Sequence, residues 1–285
     1  MIYLNGQYMP IAEARVSPMD RGFLFGDGAY EMIPVYSRQP FRLREHLARL
    51  QRTLDGIRLD NPLSVDEWEA IILRIVAENA PEDQSIYLQV TRGAAPERNH
   101  AFPQGVAPTV FVMTSPLVPP SAAQLARGVA CVSAVDFRWH RCDLKTVSLL
   151  ANCLLRQEAV DAGCAETILF RDGFLTEGSA SNIFVVKDGV LLAPPKNHLM
   201  LTGITYDVVL ELAAKHGQAV EVRDISEAEV RAADELWITS SSKEVLPVTA
   251  LDGQPVGSGR PGPLGQAMHD WYQAFKHTVM RSNAS

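Results

Sequence analysis

The run Pro116-Leu117-Val118-Pro119-Pro120-Ser121 limits what this chain can fold into more than any other stretch. Proline fixes its own φ, removes a backbone donor and biases the preceding residue towards extended conformations, so prolines at 116, 119 and 120 interrupt regular structure. Strand-like sequence lies on both sides, with Val110–Thr114 before it and Val129–Val135 after it. A length of 285 residues suits one large domain or two smaller ones. The break therefore marks the domain boundary.

Before the break, residues 2–9 read as a small hairpin turned at Asn5-Gly6. The glycine-punctuated stretch 20–28 (DRGFLFGDG) leads into a strand over Ala29–Tyr36. Leu43, Leu47, Leu50, Leu54 and Ile57 recur at helical spacing. That helix leaves Arg49 off the apolar stripe, where a solvated surface arginine is the plain expectation. A second helix spans 64–79, with Ser64 as N-cap, Glu67 completing a capping box, and Trp68, Ile71, Ile72, Ile75 and Val76 buried. Ile86, Leu88 and Val90 alternate as in a strand. The stretch 91–103 is then a loop, punctuated by Gly93, Pro96 and Pro103. Its Arg98 and His100 suit a carboxylate trap, although an exposed polar loop accounts for them equally well.

After the break, a helix from about Ser148 to Ala162 stops at Gly163. Asp172-Gly173, Asp188-Gly189 and Asp252-Gly253 are hairpin turns. Leu201-Thr202-Gly203-Ile204-Thr205 opens a helix that runs to about His216. Free N–H groups and hydroxyls there suit an anion, and ordinary capping by Thr202 is the alternative. Trp237–Thr239 is a strand ending in Ser240-Ser241-Ser242, and a last helix starts near Leu264. Residues 257–262 (GSGRPG) fit the dinucleotide pattern G-x-G-x-x-G, but Pro261 and Pro263 indicate a surface loop rather than a βαβ unit.

Composition removes several classes of function. A hydrophobic content of 47% supports a real core and excludes disorder. Net charge of −7 argues against a broad nucleic-acid footprint. The first residues lack the pattern of a signal peptide and no run of about 18 apolar residues exists, so a cytoplasmic protein is expected. The Asn283-Ala284-Ser285 sequon has no role without secretion. Cysteines at 131, 142, 153 and 164 lack zinc-ligand spacing, so no metal site is expected and the thiols read as reduced and mostly buried.

One residue stands out chemically. Residues 1–144 contain fourteen arginines and no lysine; the first lysine is Lys145, in the stretch Arg141-Cys142-Asp143-Leu144-Lys145-Thr146. Arginine stays protonated, whereas a lysine amine can lose its proton and form a Schiff base. A chance lysine in an arginine-biased composition is the bland alternative. The neighbouring features decide between them. A reactive Lys145, a carboxylate in a glycine-serine turn (Glu177), an anion-binding helix start (Gly203–Thr205) and a fixed cation such as Arg49 are together what pyridoxal phosphate requires.

The motifs DRGFLFGDGAYE (20–31), EHLARL (45–50), VTRGAAPERNHAFP (90–103), RWHRCDLKT (138–146), TEGSASNIF (176–184), LTGIT (201–205) and TSSSKEVLPV (239–248) occur in this order. Across nearly the whole chain the sequence resembles the fold-type-IV pyridoxal-phosphate aminotransferases, and within them it is most like the D-amino-acid aminotransferases. The resemblance implies two α/β domains, 1–118 and 122–285 with 119–121 as linker, and a cofactor in the interdomain cleft. It implies that Lys145 forms the Schiff base and carries protons, and that Glu177 pairs with the pyridinium. Arg49, Ile204, Thr205, Ser240 and Ser241 would hold the phosphate, and Leu201 would support the ring. Tyr30, Arg98 and His100 would hold the substrate carboxylate, with Arg98 and His100 supplied by the partner in a homodimer. The implied reaction is transamination between D-amino acids such as D-alanine and 2-oxo acids such as 2-oxoglutarate. Two departures from the family pattern are an apparent one-residue insertion at Ala95-Pro96-Glu97 and serine at 241 where threonine is common. The substrate side thus leaves open an L-branched-chain aminotransferase, an R-selective amine transaminase or an aminodeoxychorismate lyase. A cofactor-binding protein without turnover is a further alternative.

Overall fold

The computed structural model describes residues 1–282, and the Asn283-Ala284-Ser285 sequon lies outside them. Two compact units form: Met1–Leu117 together with Leu144–Leu149, and Val118–Asp143 together with the chain from Leu150 on.

In the first unit, β1 (Ile2–Leu4) and β2 (Gln7–Met9) pair antiparallel. Asn5 and Gly6 both take positive φ (47° and 89°), the geometry that lets two residues reverse a strand. The short helix α1 (Arg21–Phe25) starts at Asp20, whose carboxylate accepts from the Gly22 N–H, and stops at the left-handed Gly26. Then follow β3 (Gly28–Tyr36), β4 (Gln39–Pro40), α2 (Leu43–Gly56), α3 (Val65–Glu78), β5 (Gln84–Thr91) and β6 (Thr109–Pro116). The strands form a six-stranded antiparallel sheet in the order β2-β1-β6-β5-β3-β4. Ile33, Ile86, Leu88 and Val112 from the sheet pack against Leu47, Leu50 and Leu54 of α2 and Trp68, Ile72 and Ile75 of α3. Each large apolar side chain so buried contributes about 1.5–3 kcal/mol. Both bonds of the Ser64–Glu67 capping box are present at the start of α3. Arg49 departs from the expectation of a solvated position: it is 5% exposed, on the buried side of α2, because a carboxylate of β3 waits for it there.

The second unit runs α4 (Ala122–Arg127), β7 (Val129–Val135), α5 (Leu150–Asp161), β8 (Glu166–Arg171), β9 (Phe174–Gly178), β10 (Asn182–Lys187), β11 (Val190–Ala193), α6 (Ile204–Lys215), β12 (Val220–Val222), α7 (Glu227–Arg231), β13 (Glu235–Ser240), β14 (Glu244–Leu251), β15 (Gln254–Pro255) and α8 (Pro263–Phe275). Its nine-stranded sheet is mixed, in the order β12-β11-β10-β13-β14-β7-β8-β9, with β15 paired to β14. The pairs β14–β7 and β7–β8 are parallel, while β10–β13 and β13–β14 are antiparallel. Its core gathers Ile168, Ile183, Val185, Ile238, Leu246 and Val248. All three Asp-Gly turns form with both residues at positive φ. The helix expected to be capped by Thr202 has Gly203 as its N-cap and no side-chain cap. The GSGRPG stretch leads into α8 with Pro263 in its first turn, and the preceding β15 pairs only antiparallel with β14, so no βαβ unit exists there.

All four cysteines are free. Cys131 and Cys142 are buried, Cys153 is exposed and Cys164 half-buried, so burial holds for two of the four. Among the described residues, no helix is long and apolar enough to cross a membrane.

Candidate active site

Lys145 belongs to the first unit, in the stretch Leu144–Leu149 that runs beside β3. The Tyr30 N–H donates to the Lys145 carbonyl (3.0 Å), the Val147 N–H donates to the Gly28 carbonyl (3.0 Å), and Ala29 pairs with Thr146. The Lys145 N–H donates to Thr53 Oγ1 on α2 (3.2 Å). The lysine backbone is thus fixed by a strand and a helix, while its side chain stays half-buried. Its Nζ lies 4.3 Å from the centroid of the Tyr30 ring, so the structure brings these two predicted residues together.

Glu31, next in β3, is fully buried. Its Oε1 accepts from Arg49 Nε (2.7 Å), its Oε2 from Arg49 Nη2 (2.7 Å), and His46 Nδ1 lies 2.8 Å from Oε2. Burial alone would raise this carboxyl's pKa. The Arg49 charge and hydrogen bonds, with those of His46, overcome burial and hold it well below the usual carboxylate range. Burial pushes the His46 imidazole down. The outcome is an arginine of fixed charge and orientation, tied to the residue that follows Tyr30 in the strand.

Arg98 and His100 are exposed, and both rest on one ring of α1. The Arg98 guanidinium is 4.9 Å from the Phe25 centroid, and the His100 ring is 5.3 Å from it. Of Ala95-Pro96-Glu97, Ala95 is buried and its N–H donates to the Met19 carbonyl (3.3 Å), while Pro96 and Glu97 are exposed.

In the second unit, Glu177 near the end of β9 is 5% exposed. Its Oε1 accepts from Arg138 Nη1 (2.6 Å), and its Oε2 accepts from the Leu201 N–H (3.2 Å) and Asn182 Nδ2 (3.4 Å). Burial pushes Glu177 up to about 7 despite that arginine. The guanidinium is shared: Nε and Nη2 donate to Asp136 (2.9 Å each), whose own charge also raises Glu177. A nearby cation would hold such a carboxylate ionised.

Asn182 organises the same turn. Its Nδ2 donates to the Leu201 carbonyl (2.8 Å) and its Oδ1 accepts from the Gly203 N–H (3.1 Å). A Cβ on residue 203 would lie 2.4 Å from that oxygen, which explains the glycine. Ile204 and Thr205, both buried, open α6, whose start has no side-chain cap and whose first N–H groups have no partner within the helix. Ser240 ends β13 and Ser241 follows it, with Asn182 paired to the adjacent Thr239. Buried Glu166 holds two turns at once: it accepts from the hydroxyls of Ser179 and Ser181 and from Lys243 Nζ.

Sequence reasoning missed Glu31, His46, Arg138, Asp136, Asn182 and Glu166, the residues that orient the predicted ones. An acidic residue inside the apolar run Ala29–Tyr36 was the available signal for Glu31. The residues present suit pyridoxal phosphate: a lysine amine, a buried carboxylate that a ring cation would ionise, a helix start and an oriented arginine for a phosphate. A Cβ at position 203 would crowd that helix start, so the glycine fits the same requirement.

The sequence model of the family described as amino-transferase class IV matches residues 28–251. Bacillus licheniformis D-alanine aminotransferase is 42% identical over 263 residues, covering 92% of this chain and 92% of that protein. The D-alanine aminotransferase of Staphylococcus aureus strain MW2 is 39% identical over 275 residues, covering 96% and 97%. Among solved structures, the Escherichia coli branched-chain amino acid aminotransferase matches with a TM-score of 0.89 at 27% identity, covering 99% of this chain and 96% of that one. The branched-chain amino acid aminotransferase of T.th. with pyridoxamine 5'-phosphate matches with a TM-score of 0.90 at 27% identity, covering 99% and 95%. With its sequence model matched over most of the chain and relatives this similar over nearly their full length, the chain belongs to the class IV aminotransferase family.

Proposed function

We propose that this chain is a pyridoxal-phosphate-dependent D-amino-acid aminotransferase. It exchanges the amino group between D-amino acids such as D-alanine and 2-oxo acids such as 2-oxoglutarate. It works as a homodimer in which Arg98 and His100 of one copy complete the site of the other. The observation that carries the substrate assignment is the pair Arg98 and His100 resting on Phe25, a guanidinium and an imidazole suited to hold an α-carboxylate. Similarity to D-alanine aminotransferases over nearly the full length of both chains supports it.

Bound pyridoxal phosphate supplies an electrophilic carbonyl and an electron sink. Lys145 Nζ anchors the cofactor and then carries a proton away from the substrate α-carbon and back. Its backbone bonds to Tyr30 and Thr53 hold that amine in place between the two transfers. Glu177 keeps a proton on the ring nitrogen, and Arg138 and Asn182 orient its carboxylate. Arg49, the N–H groups of Ile204 and Thr205, and the hydroxyls of Ser240 and Ser241 hold the phosphate. Leu201, whose N–H is tied to Glu177, supports the ring face. Tyr30, Arg98 and His100 hold the substrate carboxylate.

Spectral titration of the loaded enzyme with D- and L-amino acids, followed by chiral analysis of the amino acid consumed, tests this. D-alanine is expected to bleach the cofactor band and 2-oxoglutarate to restore it. Consumption of L-enantiomers alone would overturn the assignment in favour of branched-chain chemistry. In Lys145→Ala the cofactor still binds in part, because the phosphate contacts remain. Turnover falls by at least the roughly 10²–10⁴-fold associated with a general acid–base group. Turnover near that of the unmodified enzyme, with no added amine, would remove Lys145 from the mechanism.

A further inference from the structure

Arg98 and His100 sit on an exposed loop, yet a carboxylate trap works only if its two donor side chains keep a fixed separation. The loop's own bonds are few: Asn99 Oδ1 accepts from the Ala101 N–H at 3.0 Å. What ties it to the fold is Arg21 of α1. Arg21 Nη1 donates to the Asn99 carbonyl (2.5 Å) and the Ala101 carbonyl (3.3 Å), and Nη2 donates to the His100 carbonyl (3.2 Å). One planar guanidinium thus holds three consecutive peptide carbonyls.

Arg21 is itself immobilised. It is 3% exposed, its Nε donates to Asp27 (2.8 Å), and its N–H donates to the Gly93 carbonyl (2.9 Å). Asp27 is also held by Arg92, whose Nε donates to the same Oδ2 (2.8 Å) and whose Nη2 donates to Oδ1 (3.0 Å), and Arg92 lies 3.6 Å from the Phe102 centroid at the end of the same loop. The Arg21 guanidinium also lies 4.8 Å from the centroid of Phe25, the ring on which Arg98 and His100 rest. Arg21 is buried, and its guanidinium donates to Asp27 and to the loop carbonyls. Its effect passes through the loop backbone and the shared ring.

We propose that Arg21 is a positioning residue for substrate recognition, holding the Asn99–Ala101 backbone so that Arg98 and His100 meet a substrate carboxylate from a common platform, Phe25. This rests on the reading of Arg98 and His100 as the carboxylate trap. Lysine cannot replace Arg21, because an ammonium is a compact charge without the planar fork that spans three carbonyls while also reaching Asp27. The trap is thereby built into the first unit's own packing rather than left to a mobile loop.

The test compares Arg21→Lys, Phe25→Leu and Arg98→Ala with the unmodified chain, each loaded with cofactor and checked for an unchanged melting temperature. D-alanine is followed by single-turnover bleaching of the cofactor band. Methoxyamine, a nucleophile without a carboxylate, reports reactivity of the cofactor alone. Arg98→Ala and Arg21→Lys are each expected to raise the D-alanine half-saturation concentration about tenfold, the lower end for a lost charged hydrogen bond. The methoxyamine rate, which no carboxylate contact enters, should stay within about twofold in both, and in Arg21→Lys the limiting rate should do so too. Hydrogen exchange across 97–103 in the cofactor-free protein should quicken in Arg21→Lys and not elsewhere. If Arg98→Ala is selective while Arg21→Lys slows both probes alike, or neither, Arg21 is structural and the trap reading stands. If Arg98→Ala itself fails to discriminate, the trap reading falls and this inference with it. Should Arg21→Lys not fold, Phe25→Leu decides, because selective loss supports the platform and unselective loss removes it.

Discussion

Glu177 shows how a single residue can be stable in one state and useful in another. Burial pushes its pKa up to about 7 from an ordinary 4.5, so between those values the folded protein binds a proton that the unfolded chain does not. Its contribution to stability without cofactor is therefore greatest below about 4.5 and declines as pH rises through about 7. Glu177→Gln has no charge to bury and should flatten that decline. Urea unfolding of the cofactor-free protein between pH 5 and 8 measures it, and an unchanged slope would show that Glu177 does not titrate there. The same substitution should slow transamination, because an amide cannot neutralise a ring cation. Glu31 has the opposite sign. Arg49 and His46 hold it ionised, so its contribution is lost only as pH falls below the carboxylate range. A buried carboxylate can be a poised proton site or a permanent counterion: Glu31 takes both hydrogen bonds of Arg49, whereas Glu177 shares Arg138 with Asp136.

At the scale of elements, β3 and α6 carry the proposed chemistry for opposite reasons. β3 is rigid: its partners β5 and Leu144–Leu149 hold Tyr30 from both edges. α6 is left incomplete, with Gly203 where a capping side chain would ordinarily sit. Gly203→Ala would place a methyl 2.4 Å from Asn182 Oδ1, so that amide must turn away from Gly203 and release the helix start. Cofactor affinity should fall about tenfold or more, as expected when a well-placed hydrogen bond is broken in a buried site. The α6 core contacts through Val208, Val209 and Leu212 remain, so the fold should survive. Equilibrium titration with pyridoxal phosphate checks this, and unchanged affinity would remove the helix start from phosphate binding. Local sequence made these elements readable. The α3 capping box, the Asn5-Gly6 turn and the Asp-Gly turns each depend on residues within three positions of one another. Arg49 was not readable in this way: its burial depends on Glu31, eighteen positions earlier and on a strand.

For the whole molecule, a ligand that binds only the folded chain raises its stability by mass action, by about 2.7 kcal/mol at a hundredfold excess over Kd. Pyridoxal phosphate should accordingly raise the melting temperature by several degrees, and Lys145→Ala should retain part of the rise. Thermal unfolding with and without cofactor provides the measurement, and no shift would contradict cofactor binding by the native fold. The sequence by itself made the main elements, their turns and the residues proposed to carry the chemistry readable, because each is written in local spacing or in residue type. Lysine was readable as a candidate nucleophile, and a glycine-threonine helix start as a candidate anion site, without any knowledge of the fold. The tertiary structure alone decided how those residues are held. Leu144–Leu149 belongs to the first unit through backbone bonds to Gly28 and Tyr30, more than a hundred residues earlier, and peptide groups carry no mark of their partner in the sequence. Arg138 and Asp136 set the charge of Glu177, and Arg21 holds the loop of Arg98 and His100, for the same reason: a buried charge is defined by what packing brings against it.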